Sequence, residues 1–353
     1  AVLDEIGSDP AVVFIQDYHL ALLPRMLRRA RPDLLLAHFW HIPWPNREVM
    51  RVFPWKQEFL DGMLGNDLVG FQVEHHCNNF LDTVDRSLEA RVDMEHFAVT
   101  KGGQNTFVRP HPISIDPDFV LDSLPSDLDR EETRLRRKLR VGRERLLVGV
   151  DRVDYTKGIP ERFGAVDRLL TLHPELKGTF SFVQVGAPSR THIPAYRQLS
   201  DQLDRLADEI NWRHGHDSWR PIIFLHEHYE PSEVFMLYRM AAGCVVSSLH
   251  DGMNLVAKEF VATRSDLRGV LVLSCFTGAS RELTGAVLIN PYATDEFAES
   301  LYTALTMSDE EQEQRMAWMR ERIYDHNIYG WAGTLLSEAS KLIVPRSAVG
   351  EFA

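Results

Sequence analysis

The chain has 353 residues, which is enough for two α/β domains, and its 44% hydrophobic and 25% charged residues are typical of a globular protein. The formal charge of −12 argues against a nucleic-acid groove, and no apolar run is long enough to span a membrane. Cys77, Cys244 and Cys275 follow no metal-ligand spacing, which predicts reduced thiols in a cytoplasmic protein.

The first third of the chain alternates short apolar runs with amphipathic stretches. Strands are predicted at 11–16, 34–40 and 67–72, and helices near 19–29, 56–64 and 77–88. This rhythm is typical of parallel βα units. The segments 90–100 and 105–116 then predict an antiparallel pair, with Gly102 and Gly103 at the turn.

A charged helix over 126–145 predicts the join to a second domain, where the same rhythm starts again. Further strands are predicted at 145–152, 180–186, 221–227, 243–248 and 269–274, with a helix over 160–174 and a last amphipathic helix over 327–344. We therefore predict an α/β protein with two Rossmann-like, doubly wound domains. In such sheets the ligand-binding residues lie just after the strands.

One polar loop, DRVDYTKGIPER (151–162), follows a predicted strand and precedes a helix with proline in its first turn. Arg152 and Lys157 lie beside that helix N-terminus, which suits a diphosphate whose negative charge grows as it departs. The alternative is a surface ion pair between Arg152 and Asp151 or Asp154. Spacing alone leaves the two interpretations open.

A second loop, HDGMNLVAKEF (250–260), follows another predicted strand. The backbone amides of Gly252–Leu255 are suited to an anion or to sugar hydroxyls. Glu259 can accept two hydrogen bonds from a ribose diol. Asp251 can instead act as a plain helix cap, and Lys258 is expected to be solvated.

Three further polar residues follow predicted strands. His41 lies in a loop stiffened by prolines, although a histidine satisfied by local hydrogen bonds is the commoner case. Asp17 can bind sugar hydroxyls or cap a helix that begins near His19. Arg190 can hold a phosphate through two parallel hydrogen bonds.

Several of these segments together resemble the trehalose-6-phosphate synthases, retaining glycosyltransferases of family 20. The matching stretches are QDYHL, HIPWP, LLGNDLVGFQ, DRVDYTKGIPERF, APSR, DGMNLVAKEF and INPY. The resemblance implies the twin-Rossmann arrangement called GT-B, with the active site between the domains. Members begin with a strand and a glycine-containing loop that has no counterpart here, so we expect the first domain to be incomplete at its N-terminus.

The resemblance also implies domain roles and boundaries. Residues 1–135 would form a partial acceptor-side domain and 136–312 the nucleotide-sugar donor domain. Helices in 313–353 would cross back to the first domain.

The reaction implied by the resemblance moves glucose from a nucleotide-sugar, UDP-glucose or similar, to glucose 6-phosphate and yields trehalose 6-phosphate. The implied catalytic residues are His41, Arg152, Lys157 and Asp251. The implied donor-binding residues are Arg152, Lys157, Asp251, Gly252, Met253, Asn254, Leu255, Val256 and Glu259. Asp17 would contact the acceptor sugar, and Arg190 the acceptor phosphate.

No metal or other cofactor is expected, because the arginine and lysine supply the positive charge and the nucleotide-sugar is itself a substrate. The expected partners are this donor and a sugar-phosphate acceptor, without nucleic acid or membrane, and a homo-oligomer stays an open option. Two alternative functions stay open as well. One is the same chemistry with an acceptor such as glycerol 3-phosphate, and the other is a non-catalytic regulator that binds sugar phosphate.

Overall fold

The computed structural model describes residues 1–342, which divide into two compact units. The first comprises Ala1–Ile113 and the chain from Ile328 onward, and the second comprises Ser114–Asn327. The boundaries predicted at 135 and 312 therefore fall inside the second unit. The helix around residue 135 belongs there because Leu135 and Leu139 are buried and the helix packs on a neighbouring helix of that unit.

The first unit contains a six-stranded mixed sheet and short helices. Its strands are β1 (Val12–Gln16), β2 (Leu35–Trp40), β3 (Leu68–Phe71), β4 (Arg91–Asp93), β5 (Ala98–Lys101) and β6 (Gln104–Pro110). Its first helices are α1 (Val2–Ile6), α2 (Leu23–Ala30), α3 (Arg47–Met50), α4 (Lys56–Met63) and α5 (Glu74–Ser87), with a 3₁₀ turn over Tyr18–Leu20.

The sheet of the first unit has the strand order β1-β2-β3-β6-β5-β4. Strands β1, β2, β3 and β6 run parallel, whereas β5 is antiparallel to both β6 and β4. Every residue of β2 and β3 is buried, as expected for strands covered on both faces. The predicted parallel strands and the turn at Gly102 and Gly103 are confirmed. The single strand predicted over 90–100 is wrong, because Asp93 accepts a hydrogen bond from the His96 amide and turns the chain between β4 and β5.

The second unit contains a six-stranded sheet that is parallel throughout. Its strands are β7 (Arg145–Arg152), β8 (Phe180–Ala187), β9 (Ile222–Leu225), β10 (Gly243–Val246), β11 (Val270–Ser274) and β12 (Val287–Ile289). Its helices are α6 (Pro117–Asp122), α7 (Leu128–Leu139), α8 (Ile159–Leu172), α9 (Pro194–His214), α10 (Pro231–Met240), α11 (Leu255–Thr263), α12 (Thr294–Thr306) and α13 (Asp309–Asp325).

The strand order of the second sheet, β12-β11-β10-β7-β8-β9, is that of a doubly wound Rossmann fold. The chain begins at the central strand β7, builds outward through β8 and β9, and returns to the other side of β7 with β10. The topological switch point therefore lies between β7 and β10. Ligands bind beyond the carboxyl ends of the strands at such a point, which draws attention to the loops after these two strands.

The last described helix, α14 (Ile328–Lys341), belongs to the first unit. It packs its Leu335 and Ala339 on a buried cluster that includes Leu35, Ala37 and Phe39 of β2. Trp331 sets its ring edge-on to Phe39 at 5.1 Å between ring centroids. Of the helix predicted over 327–344, residues 343 and 344 lie outside the described residues.

Candidate active site

The loop after β7 turns sharply at a glycine before α8 begins. A 3₁₀ turn covers Tyr155–Lys157, and Gly158 then adopts φ +62°. A Cβ atom at Gly158 would lie 2.1 Å from the carbonyl oxygen of Ser247, which follows β10. Only glycine therefore allows the β7 and β10 loops to approach so closely at the switch point.

Arg152, the last residue of β7, carries an exposed side chain at the carboxyl edge of the sheet. Its guanidinium makes no hydrogen bond or ion pair with any residue of the described chain. The alternative ion pairs are absent because Asp151 binds Arg162 at 2.8 Å and Asp154 accepts from Thr156 at 3.0 Å. The Arg152 guanidinium is thus available to a ligand.

Lys157 and Asp251 connect the loops after β7 and β10. The Lys157 Nζ lies 2.6 Å from Asp251 Oδ2, and both side chains are less than one-fifth exposed. The same Oδ2 accepts hydrogen bonds from Asn254 Nδ2 at 3.1 Å and from Ser248 Oγ at 3.2 Å. Asp251, itself held by Ser248 and Asn254, therefore fixes the position of the Lys157 ammonium group.

Asn254, rather than Asp251, caps α11. Its Oδ1 accepts from the amide of Ala257 at 3.1 Å, and its φ of +79° turns the chain into the helix. The alternative of Asp251 as the helix cap is wrong. The amides of Gly252, Met253 and Asn254 have no acceptor among residues 1–342, and this leaves backbone donors beside a helix N-terminus for an external ligand.

Glu259 lies on α11 with a largely buried carboxylate. Burial raises the pKa of Glu259 to about 7, and the carboxylate makes no hydrogen bond or ion pair within the described part of the chain. Its neighbour Lys258 is only 1% exposed and binds Glu282 at 2.8 Å, so the expectation of a solvated Lys258 is wrong. A burial cost without an internal partner is typical of a group that is kept for a ligand.

A buried arginine beneath these loops was missed by sequence reasoning. Arg162 is fully buried and donates to Asp151 at 2.8 Å, to Gln184 at 2.6 Å and to Ser247 Oγ at 2.9 Å. It connects β7, β8 and the start of the β10 loop. Its sequence signal was available, because it lies four residues before Val166 and seven before Leu169, on the apolar face of α8.

In the first unit, Asp17 and His41 lie in contact. Asp17 Oδ1 accepts from the His41 amide at 3.2 Å, and the Asp17 carbonyl accepts from His38 Nε2 at 2.8 Å. Asp17 has φ +59° and ψ −174°, a conformation that costs about 1–3 kcal/mol for a residue other than glycine. Its side chain caps no helix, so that alternative is wrong.

His41 is half-buried, and its Nε2 lies 2.7 Å from Gln16 Oε1. Burial lowers the pKa of His41, although the negative charge of Asp17 opposes this effect. The imidazole is therefore neutral near pH 7. The local hydrogen bond that we gave as the alternative is present, and it orients the ring.

Arg190 follows β8, the strand beside β7, and its side chain is exposed. Its Nη1 donates to the Tyr196 hydroxyl at 2.7 Å. The structure thus brings Lys157, Asp251 and Asn254 into direct contact, and it places Arg152 and Arg190 at the same edge of the same sheet. Asp17 and His41 form a separate pair at the carboxyl ends of β1 and β2.

No group of three or more histidine, cysteine, aspartate or glutamate side chains that could hold a metal ion occurs in the described chain. Over the same residues, no helix is long and apolar enough to cross a membrane.

Comparisons with known proteins agree with this Rossmann-like architecture. The family model for glycosyltransferase family 20 matches residues 1–341. The chain is 34% identical to UDP-forming alpha,alpha-trehalose-phosphate synthase A of Dictyostelium discoideum, covering 97% of this chain and 46% of that protein. It is 41% identical to a bifunctional trehalose-6-phosphate synthase/phosphatase of Thermoproteus tenax, covering 91% and 44%.

Solved structures give the same result at the level of the fold. An Escherichia coli trehalose-6-phosphate structure with bound UDP-2-fluoro glucose superposes with a TM-score of 0.92 and 34% identity, over 98% of this chain and 76% of that chain. A UDP-forming synthase from Burkholderia xenovorans in complex with glucose-6-phosphate gives a TM-score of 0.89 and 31% identity, over 96% and 76%.

The strand order and the loops at its switch point define a Rossmann-like α/β protein of the GT-B class, as predicted. The chain belongs to glycosyltransferase family 20. It spans a little under half the length of the first two curated relatives.

Proposed function

We propose that the chain carries the catalytic machinery of a retaining glucosyltransferase, which moves glucose from UDP-glucose to glucose 6-phosphate. The products are UDP and trehalose 6-phosphate. The observation that carries the proposal is the cluster at the β7–β10 switch point. It combines an unpaired arginine, a fixed lysine and a row of free backbone amides.

The donor fits this cluster by charge and by hydrogen-bonding capacity. Arg152 and Lys157 are placed to bind the diphosphate, and the amides of Gly252–Asn254 to meet glucose hydroxyls. Glu259 offers two carboxylate oxygens to a ribose diol, and that contact would replace the hydrogen bonds that its carboxylate lacks within the described chain. The remaining donor-side residues, Leu255 and Val256, begin α11.

In the proposed reaction, the bond between glucose C1 and the β-phosphate oxygen of the donor breaks. A hydroxyl of glucose 6-phosphate forms the new bond to C1 on the same face, and its proton passes to the departing phosphate. Negative charge grows on UDP during this step. Arg152 and Lys157 are proposed to stabilise that charge, and this is their contribution to the rate.

Three further residues, His41, Asp17 and Arg190, are proposed to make the remaining contacts. Neutral His41 is proposed to hydrogen-bond the transferred glucose near C1, and its ring is already oriented by Gln16. Asp17 is proposed to bind a hydroxyl of the acceptor sugar, and its strained backbone supports a functional role. Arg190 is proposed to bind the acceptor phosphate.

The test is UDP release with UDP-glucose and a panel of acceptors, followed by NMR of the product. We expect turnover with glucose 6-phosphate and an α,α-linked disaccharide phosphate. Glycerol 3-phosphate belongs in the panel, because turnover with that acceptor alone would correct the substrate while leaving the reaction class unchanged. Binding of sugar phosphate without release of UDP from any donor would instead indicate a regulator.

We further propose that catalysis needs no divalent cation, since the side chains of Arg152 and Lys157 would supply the positive charge for the diphosphate. Activity should then persist in EDTA. The three free cysteines support a further proposal, that the protein works in the reducing cytoplasm.

A further inference from the structure

A buried tyrosine connects Arg190 with the loop that carries Lys157. Tyr196 lies on α9 and is 7% exposed. Its hydroxyl accepts from Arg190 Nη1 at 2.7 Å and donates to Asp154 Oδ2 at 3.3 Å. The Arg190 guanidinium carbon also lies 5.5 Å from the centre of the Tyr196 ring. One residue therefore fixes Arg190 by a hydrogen bond and by a cation–π contact.

Asp154 is itself held firmly, so it can anchor the tyrosine. Its Oδ1 accepts from the Thr156 amide at 3.0 Å and from the Thr156 hydroxyl at 2.9 Å. Burial alone would raise the pKa of Asp154, but the hydrogen bonds from Thr156 and Tyr196 and the positive charge of Arg152 lower it below its ordinary value. Asp154 is therefore a carboxylate at neutral pH and accepts the tyrosine proton.

The position of Arg190 also needs an external constraint. Its backbone has φ +46°, which is unfavourable for a residue other than glycine, and its side chain is exposed. A long, exposed arginine loses rotamer entropy whenever it is fixed on a ligand. A contact that orients the guanidinium beforehand removes part of that cost from binding.

We propose that Tyr196, anchored by Asp154, is a positioning residue that orients Arg190 for the phosphate of the acceptor. The inference rests on the proposed function, and it adds a residue to which the sequence pattern assigned no role. Tyr196 does not touch the substrate in this account. It acts through Arg190, and it joins the acceptor-phosphate arginine to the turn that carries Lys157.

The direct test is Tyr196→Phe, which keeps the ring and removes only the hydroxyl. We expect the KM for glucose 6-phosphate to rise on the order of tenfold, because a hydrogen bond to a charged group is lost. The kcat and the KM for UDP-glucose should stay within about twofold. A merely structural defect would instead change donor and acceptor parameters together.

A matched control is Tyr302→Phe, on α12 of the same unit. Tyr302 stacks on His173 at 4.0 Å, and its hydroxyl has no hydrogen-bond partner within residues 1–342. This variant should leave both KM values unchanged.

A double-mutant cycle separates positioning from an independent role. In an Arg190→Ala background, Tyr196→Phe should have no further effect on the KM for glucose 6-phosphate. A further tenfold rise in that background would overturn the proposal, and so would a single Tyr196→Phe variant with wild-type KM.

A second variant keeps the test decisive if Tyr196→Phe unfolds. Asp154→Asn retains an oxygen for Thr156 but presents an NH₂ group that cannot accept the Tyr196 proton. The KM for glucose 6-phosphate should rise in this variant as well, and an unchanged value contradicts the anchoring role. Wild-type protein that releases no UDP contradicts the proposed function, whereas an active wild type with unaffected variants contradicts only the role of Tyr196.

Discussion

Arg152 and Lys157 differ in whether their charges are paired within the protein. Lys157 is paired with Asp251 at 2.6 Å, whereas the Arg152 guanidinium makes no hydrogen bond or ion pair in the described chain and its charge acts on Asp154 only at longer range. An unpaired arginine at a strand end loses few internal interactions when a ligand binds. Its removal should therefore affect the reaction much more than the fold.

Arg152→Ala is expected to lower kcat by about 10²-fold or more, because one donor to the charge that develops in the transition state is lost. The melting temperature should stay close to that of the wild type. Steady-state UDP release measures the effect. Arg143→Ala, which removes an exposed arginine in the turn before β7, should stay within about twofold of wild-type activity.

The raised pKa of Glu259 predicts how the stability of the protein depends on pH. Its carboxyl in the folded chain holds a proton up to about pH 7, whereas in the unfolded chain it releases the proton near 4.5. Between these values the folded state binds more protons, so this group destabilises the ligand-free protein as pH rises. The free energy of unfolding therefore falls by about 3 kcal/mol over this pH range because of Glu259. Glu259→Gln should abolish this fall, and urea unfolding at pH 5 and pH 7.5 can measure the difference.

The outcome that contradicts the Glu259 prediction is an equal pH dependence of unfolding in wild type and Glu259→Gln. Other titrating groups are common to both proteins, so the difference between the two curves isolates this carboxyl.

At the scale of elements, the junction of β7 and α8 depends on one glycine. Gly158→Ala should lower the free energy of unfolding by about 2 kcal/mol or more, because a Cβ there meets the Ser247 carbonyl and the residue has a positive φ. The β7 and β10 loops would separate and carry Lys157 away from Asp251, so donor affinity should fall too. Chemical denaturation and UDP titration measure both effects.

Gly164→Ala is the matched control within α8. A Cβ at Gly164 would meet nothing within 4 Å, and alanine is the better helix former. This variant should gain up to about 1 kcal/mol of stability and bind UDP normally. Equal destabilisation by both alanines would refute the special role of Gly158.

The elements themselves could be predicted from the sequence because apolar runs identify buried strands. The helix over 160–174 was predicted from the spacing of Phe163, Val166 and Leu169, and all three are fully buried. The single strand predicted over 90–100 was wrong because a hydrogen bond from the His96 amide to the Asp93 carboxylate decides the turn, and an alternation of apolar residues carries no information about such a bond.

Pairings across the chain could not be predicted. Lys157 and Asp251 are 94 positions apart, and only the return of β10 to the side of β7 brings them together. Lys258 was expected to be solvated and Arg162 was assigned no role, yet both are buried because acidic partners from other elements compensate their charges. Residue types and strand ends identify candidate ligand residues, but the internal partners of a charge depend on the tertiary fold.

At the scale of the whole molecule, the reactivity of the three cysteine thiols tests which of them the fold buries. Cys77 and Cys244 are fully buried, whereas Cys275 is partly exposed. Burial raises the pKa of the Cys77 thiol to about 12, and it raises the pKa of Cys244 as well. We expect one thiol to react with a colorimetric reagent at pH 8 in the native protein and three in urea. Cys275→Ser should remove the native reaction, and rapid native labelling of two or more thiols would contradict this fold.

The first unit is discontinuous in sequence, and this affects the order in which it forms on the ribosome. Its sheet is synthesised early, but the helix that covers Leu35, Ala37 and Phe39 comes only after all of Ser114–Asn327. A nascent chain therefore exposes this apolar face throughout synthesis of the second unit, which can fold meanwhile. Chaperones that bind apolar surface therefore have the most time to bind this face before α14 covers it. Chains stalled before Trp331 should aggregate more readily than chains that include α14.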